Sequence, residues 1–600
     1  MTIIIDLSGG LVNGVDQSKI ADNQLYKAVD LDFTDVGNAR CRSLNTLNSY
    51  FKDVSFSAAV YNIFQTDVEG INKRLIAYSS GNTLYVWNSL TGVVHTAASN
   101  IKTNQHISYA TLRPELSTYT YIYATDGNTM LAHNGTTLKT WGIDKPSGSP
   151  TTRVGATSGS LSTGSYQYVY TFYDNATGTE SEPSPASAKL SVTSGQSVQL
   201  NDILISGDSR VTSRRLYRTL AAGGYYYLVG TIPDNTITDF IDGIGDSQLT
   251  IQAITDADMP PVGDVVFSYK NMLLLGGISA YPDRLYYCIQ QHPDNWPSTY
   301  WQSTTSAGLG IINIHMFADV VYFMHKGGVS RLHGETIDAF TIRSTEAHVG
   351  SAARWSSVSG LGGIYFLSYD GIYRFDGRSA VRVSDRIQKI FDKVATTDVE
   401  IIDRSSMSAV CRGAFMGSSY YLLAPMQAID GSVTNRLIVY DVIRNTWVIH
   451  AVACTDIYAD ESKGELYGAL TYSSAFTVHN LLTAASSSVD SASPILVTKA
   501  YPVTSDAQYQ TTPTGMKRTY SPEIGWLSKF KIDALGTWTL EFFVDDRSVY
   551  SVTLTDLNSA TKNLWHRLPD GIKGQVVHVK ATASSTPQPE THIFRGMLIV

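Results

Sequence analysis

Cysteine is scarce. The chain has four in 600 residues, Cys41, Cys288, Cys411 and Cys454, with no CxxC pair. A disulfide framework is therefore not expected, and four buried free thiols are. Charge is also sparse, at 16 % of residues, and the balance is −8. An acidic chain without a basic face argues against a dedicated nucleic-acid binder, although not against a conduit that DNA passes without sticking. No apolar run reaches bilayer length, so no membrane span is expected. The opening MTIIIDLSGG lacks a basic segment followed by a long apolar one, so no signal peptide is expected.

Motifs of chemistry are as rare. There is no HExxH, no GxSxG and no Walker lysine behind Gly9, Gly10 and Gly14. The string Ser368-Tyr369-Asp370-Gly371 sets its glycine one place too early for a sialidase box. Asp545-Asp546 are adjacent in an expected turn, so they do not form a pair across a cleft. His325 and His333 flank an expected hairpin and are the only weak hint of zinc. Asp242-Gly243-Ile244-Gly245-Asp246 lacks EF-hand spacing and is expected to be a plain turn. The expectation is a chain without catalytic, cofactor-binding or metal-binding residues, and not an enzyme.

What is abundant is β patterning. Hydrophobic residues make up 43 % and tyrosine alone numbers 36, which suits a large core and half-buried strands. Gly362–Ser384 reads as a three-strand meander. Ile364–Tyr369, Ile372–Phe375 and Ala380–Val383 are strands, joined at Asp370-Gly371 and Asp376-Gly377, where primed turns with positive φ are expected. Similar meanders recur through Gly81-Asn82, Asp126-Gly127, Asn134-Gly135, Gly327-Gly328, His333-Gly334 and Arg444-Asn445. Copies start roughly forty residues apart, the spacing of propeller blades.

The expected organisation is all-β: a propeller of six or seven blades, an inserted fibronectin III or immunoglobulin-like sandwich, and a C-terminal β-sandwich. The boundaries are 1–50 for an N-terminal arm, 51–145 for the first blades, 151–250 for the insert, 259–485 for the remaining blades and 495–600 for the last module. Linkers are read at Lys145–Pro150 and Ala484–Pro494. In the insert, Tyr166, Tyr168 and Tyr170 share one face, and Glu180–Pro185 is a proline-punctuated turn. A short helix is expected over Ile20–Val29, capped by Ser18 or Asp16. Another is expected over Ser384–Val394, capped by Ser384, as a packing helix across the blades. The cluster His292–Trp301 leaves two readings open. Trp296, Tyr300 and Trp301 form an interface for sugar or protein, or the segment plugs the end of a blade.

The run Leu7-Ser8-Gly9-Gly10-Leu11, then Ala21-Asp22-Asn23-Gln24-Leu25, then Asp30-Leu31-Asp32, Gly37 and Arg40 resembles the N-terminal signature of tail nozzle, or tail tubular, proteins of short-tailed bacteriophages. Arg284-Leu285-Tyr286-Tyr287 with Pro293 and Trp296 is similar to a segment of the same family. The resemblance implies a structural virion protein made in the host cytoplasm. It would form a homohexameric ring at the distal end of the tail, docked to a head-to-tail adaptor and to tail fibre or spike proteins, with possible host cell-surface contact. DNA would pass without sequence-specific binding, and an acidic lumen would keep phosphate moving. Two rival readings remain: a propeller lectin or glycan-cleaving receptor-binding tail component, and a cellular propeller scaffold.

Overall fold

The computed structural model describes all but residues 1–2, 5–6, 8, 34–38, 43–45, 48–57, 69–72, 89–92, 100, 103–104, 255, 257, 305–309, 473–474, 482–493, 503–506, 513–514, 521–524, 559–563, 584–592 and 600. The linker expected at Ala484–Pro494 therefore lies outside the described residues except for Pro494, and Gly37 lies outside them too. The fold is all-β. Among the described residues, seven four-stranded antiparallel meanders span residues 60–99, 108–140, 265–303, 313–344, 358–382, 412–450 and 454–480. The last reaches four strands only because Thr46–Leu47 of the N-terminal arm pairs with Ala475–Asn480. The first strands of the meanders neighbour one another in chain order, and the ring closes where Val60–Val68 meets Cys454–Asp460. At that closure Ile63 N donates to Asp456 Oδ2 at 2.7 Å. A propeller joined this way uses its N-terminal strand as a clasp.

The turns that close the meanders differ from expectation. Asp370 and Gly371 both lie outside the left-handed region. The hairpins at Asp126, Asn134 and Asp376 use four-residue loops in which the side-chain oxygen replaces a backbone acceptor. Asp126 Oδ1 takes Asn128 N and Thr129 N, and Asn134 Oδ1 takes Thr136 N and Thr137 N. Asp376 Oδ1 takes Arg378 N and Ser379 N. These are Asx turns, in which only the following glycine has positive φ. Two-residue turns with positive φ at both positions fall instead at Lys270-Asn271, Ala318-Asp319 and Asp545-Asp546.

Between the second and third meanders lies the insert, a sandwich with its own core. Thr151–Ser158, Gln196–Asn201 and Phe240–Asp242 form one sheet; Thr179–Glu180, Tyr168–Asp174, Ser213–Thr219 and Tyr226–Ile232 form the other. Tyr166, Tyr168 and Tyr170 are all fully buried in that core. The proline-rich segment is an edge rather than a turn. Ser181, Ser184 and Ser187, three apart, donate their N–H to the carbonyls of Phe172, Tyr170 and Tyr168. Each seryl Oγ also accepts the N–H of that same residue. Proline at 183 and 185 fits because neither position must donate.

The two expected helices are corrected. Over residues 20–29 only a 3₁₀ turn precedes, at Gln17–Lys19, and Leu25–Val29 is a strand. Its ladder partner, Ile495–Thr498, comes from the far end of the chain. Pairing over a sequence distance overrides local helix pattern. Over 384–394 the chain forms a short 3₁₀ segment, Asp385–Phe391, broken at Ile387. Ile387, Ile390 and Phe391 are buried as the pattern predicts, but Val394 is exposed. Ser384 caps nothing there, because its Oγ accepts Ile372 N at 2.9 Å in the meander.

In the C-terminal module one long strand, Lys529–Val544, pairs with Ile593–Ile599 along its first half and with Val576–Ala583 along its second. Ile3–Ile4 adds to Ile593–Ile599, so the two chain ends lie side by side. Val576–Ala583 pairs with Ile495–Thr498, which pairs with Leu25–Val29, which touches the sixth meander at Ile449. One sheet thus runs from the propeller through the arm into the last module. Among the described residues no helix is long and apolar enough to cross a membrane.

Candidate functional site

The inner strands of all seven meanders line one axial cavity of about 520 Å³. β-Propellers expose their axis because each blade's first strand twists away from its neighbour, which leaves a funnel. A second cavity of about 300 Å³ lies against the first and shares Trp355 as a wall. Trp355 sits between two arginines, with the guanidinium carbons of Arg354 and Arg412 each 5.7 Å from its ring centroid. Arg354 Nη2 is held by Asp264 Oδ2 at 2.8 Å. Trp355 and Arg412 line the axial cavity, and Trp355 and Arg354 line the second one.

Below Trp355 lies a buried charge cluster. Asp456 receives Ile63 N on one oxygen, and its other oxygen is 3.4 Å from Arg412 Nε and 3.5 Å from His106 Nδ1. Burial pushes its pKa up to about 6, although Arg412 works against that. Burial, with Arg412 next, holds His106 well below the usual histidine range. His106 is therefore a neutral ring beside a carboxyl group at pH 7, not an ion-pair partner. Further along the wall, His315 Nε2 lies 2.8 Å from Ser357 Oγ. The pair resembles a nucleophile and its base, but Ser357 Oγ donates to the carbonyl of Arg354 and accepts Asn313 Nδ2. With its proton committed to a backbone carbonyl, that hydroxyl is a structural bridge.

Of the three residues read as an interface, Trp296 and Trp301 border one cleft, and Tyr300 does not line it. Trp296 is 2 % exposed and stacks on Trp141, with centroids 6.1 Å apart. It contributes little surface to the cleft it borders, and exposing its indole would forfeit a large apolar burial. The neighbouring Asp294 is buried and accepts from Lys139 Nζ at 2.6 Å, Gly142 N at 2.9 Å and Thr179 Oγ1 at 2.8 Å. Residues 292–296 thus cement the second meander to the insert, close to the plug reading. Tyr300 packs half-buried on Tyr287. Trp301 is half-buried and borders a cleft of about 540 Å³ between the third meander and the insert. Other members of that cleft, Glu182, Asp258 and Tyr281, come from three separate segments and carried no signal along the sequence.

The weak metal hints resolve differently. Both ring nitrogens of His325 are engaged, with Gly310 O and Ser330 Oγ. Asp242 and Asp246 close on the buried Arg218 guanidinium, each at 2.7 Å, where a cation would otherwise sit.

No family model and no curated protein matches the chain. Among solved structures it is similar to an exo-β-1,3-galactanase from Phanerochaete chrysosporium with galactose. That match has 10 % identity and a TM-score of 0.19, and covers 56 % of this chain and 95 % of that one. It is also similar to BBS1N in complex with ARL6DN, at 10 % identity and a TM-score of 0.23, over 75 % of this chain and all of that one. The expectation of a non-enzyme is not upheld: exo-β-1,3-galactanases are among the structures the chain is similar to. At these scores the likeness carries no argument for the chemistry of either protein.

Proposed function

We propose that the chain is a structural virion protein, the nozzle at the distal end of a short phage tail. In this reading it assembles as a homohexamer and docks an adaptor and tail fibres. The observation that supports it is where the residues of the resemblance lie. Gly9 N donates to Asn23 O, Leu25 N to Gly10 O, and Leu11 N to Trp447 O. Gly10 has φ +67°, and a Cβ there would come within 2.9 Å of Thr446. Asp22 takes Lys499 Nζ at 2.9 Å, and its carbonyl takes Tyr501 Oη. Asp30, itself at φ +54°, is buried with Arg42 at 2.8 Å and also accepts Ala451 N. The signature is therefore the joint that locks arm, propeller and last module together. A string needed for that joint is one that relatives with the same build would share.

In this reading the DNA passage runs between the six copies. Sedimentation and electron microscopy of the purified chain test it. The expected result is a six-fold ring with an open centre, and a chain that stays monomeric at high concentration and in particles contradicts it. A second reading, a tail component that binds or cleaves receptor glycan, is favoured by the cleft beside Trp301. Screening glycan turnover by the purified chain separates the two.

A further inference from the structure

The cleft between the insert and the third meander carries an arginine and aromatic rings together with two carboxyl groups. On one wall the Arg284 guanidinium lies between two aromatic rings, 3.9 Å from the centroid of Tyr281 and 3.8 Å from that of Trp301. Its Nη1 donates to Tyr286 Oη at 3.3 Å, and among the described residues no carboxylate pairs with it. Stacking of this kind fixes a guanidinium and leaves edge N–H groups to donate. Facing the same cavity are the carboxyl groups of Glu182 and Asp258, and Lys145 Nζ reaches Glu182 Oε2 at 2.8 Å. Glu182 is thus matched by Lys145, whereas the Arg284 guanidinium has no carboxylate partner among the described residues and keeps N–H groups to offer a ligand.

A volume of about 540 Å³ lies in the range of small-molecule sites. The ligand that fits must offer both donors and acceptors on one edge and apolar C–H on a face. Hydroxyl groups on a six-membered sugar ring meet both demands. We propose that this cleft binds a pyranose, with ring C–H against Tyr281 and Trp301, hydroxyls donating to Glu182 and Asp258, and ring or hydroxyl oxygens accepting from Arg284. Tyr281 is 46 % exposed and open to such contact. Such a site rests on the glycan-binding reading of the same cleft and does not depend on the chain being a tail nozzle.

Methyl pyranosides of glucose, galactose and mannose, titrated into the full chain and followed by saturation-transfer NMR and tryptophan fluorescence, test it. At least one is expected to bind with a dissociation constant of about a millimolar, as single-ring ligands with few contacts do. Arg284→Ala and Glu182→Gln should each weaken that binding about tenfold. Tyr281→Ala, at an exposed site that leaves the fold intact, should weaken it too. Asp258 has its pKa pushed up to about 6, by burial first and then by Glu182. Protonation there occupies one acceptor, so affinity should fall as pH drops from about 7 to 5. Absence of binding by all three pyranosides overturns the proposal. So does binding unchanged in Glu182→Gln and Tyr281→Ala, or full displacement by inorganic phosphate, which would make the cleft an anion site.

Discussion

At the scale of single residues, two buried aspartates show how environment decides charge. Asp294 is penalised by burial, yet Lys139 and the Gly142 amide outweigh that and hold its pKa below the usual carboxylate range. Asp456 has fewer compensating donors and is pushed up to about 6. The signs therefore oppose. Asp294 stabilises the fold above the ordinary carboxylate pKa, and that contribution is lost as pH falls below about 4. Asp456 holds in the native state a proton that the unfolded chain releases, so its contribution to stability rises as pH falls from about 6 to 4. Asp456→Asn should flatten the pH profile of the melting temperature in that window and leave the acid limb intact. Asp294→Ala should cost about 3 kcal/mol or more, because it strands the Lys139 ammonium in the interior. The midpoint of urea unfolding reads that loss.

At the scale of elements, the turns separate what a dipeptide says from what a hairpin uses. Asp-Gly and Asn-Gly pairs mark hairpins correctly here, but by side-chain capping of four-residue loops. The strained two-residue turns carry Ala318 at φ +48° and Asp319 at φ +60°, with no glycine to announce them. A non-glycine residue in that region costs about 1 kcal/mol. Ala318→Gly should therefore raise the unfolding midpoint by somewhat less than that, since glycine also loosens the unfolded chain. Gly334 is the contrary case. Its φ is +106°, and a Cβ would come within 2.2 Å of the Ala339 carbonyl, so Gly334→Ala should destabilise. Equilibrium unfolding of the two variants should give shifts of opposite sign.

At the scale of the molecule, closure depends on the ends. The seventh meander borrows Thr46–Leu47 from the arm, and Leu25–Val29 bridges propeller and C-terminal module. Deleting residues 1–50 should open the ring at its clasp and expose the edge of Ala475–Asn480, an unpaired edge of the kind that aggregates. Calorimetry is expected to show the main transition lowered and broadened. A separate transition for the insert should persist, because its tyrosine core is its own. An unchanged melting profile would show that the clasp does not hold the ring.

By itself the sequence determined the β class, the meander period and the tyrosine face of residues 166–170, because these follow from local alternation and turn residues. Even the buried positions of the segment after Ser384 were legible, since Ile387, Ile390 and Phe391 must find a core whatever the helix type. Only the tertiary structure decided that Leu25–Val29 is a strand, since its partner lies more than four hundred residues away. The same holds for Trp296, whose burial depends on Trp141, and for the cleft, whose walls come from Lys145, Glu182, Asp258 and Arg284. Long-range pairing and burial leave no trace in a local window. They arise only when distant segments compete for the same surface and one arrangement buries the apolar faces while pairing most of the buried donors and acceptors.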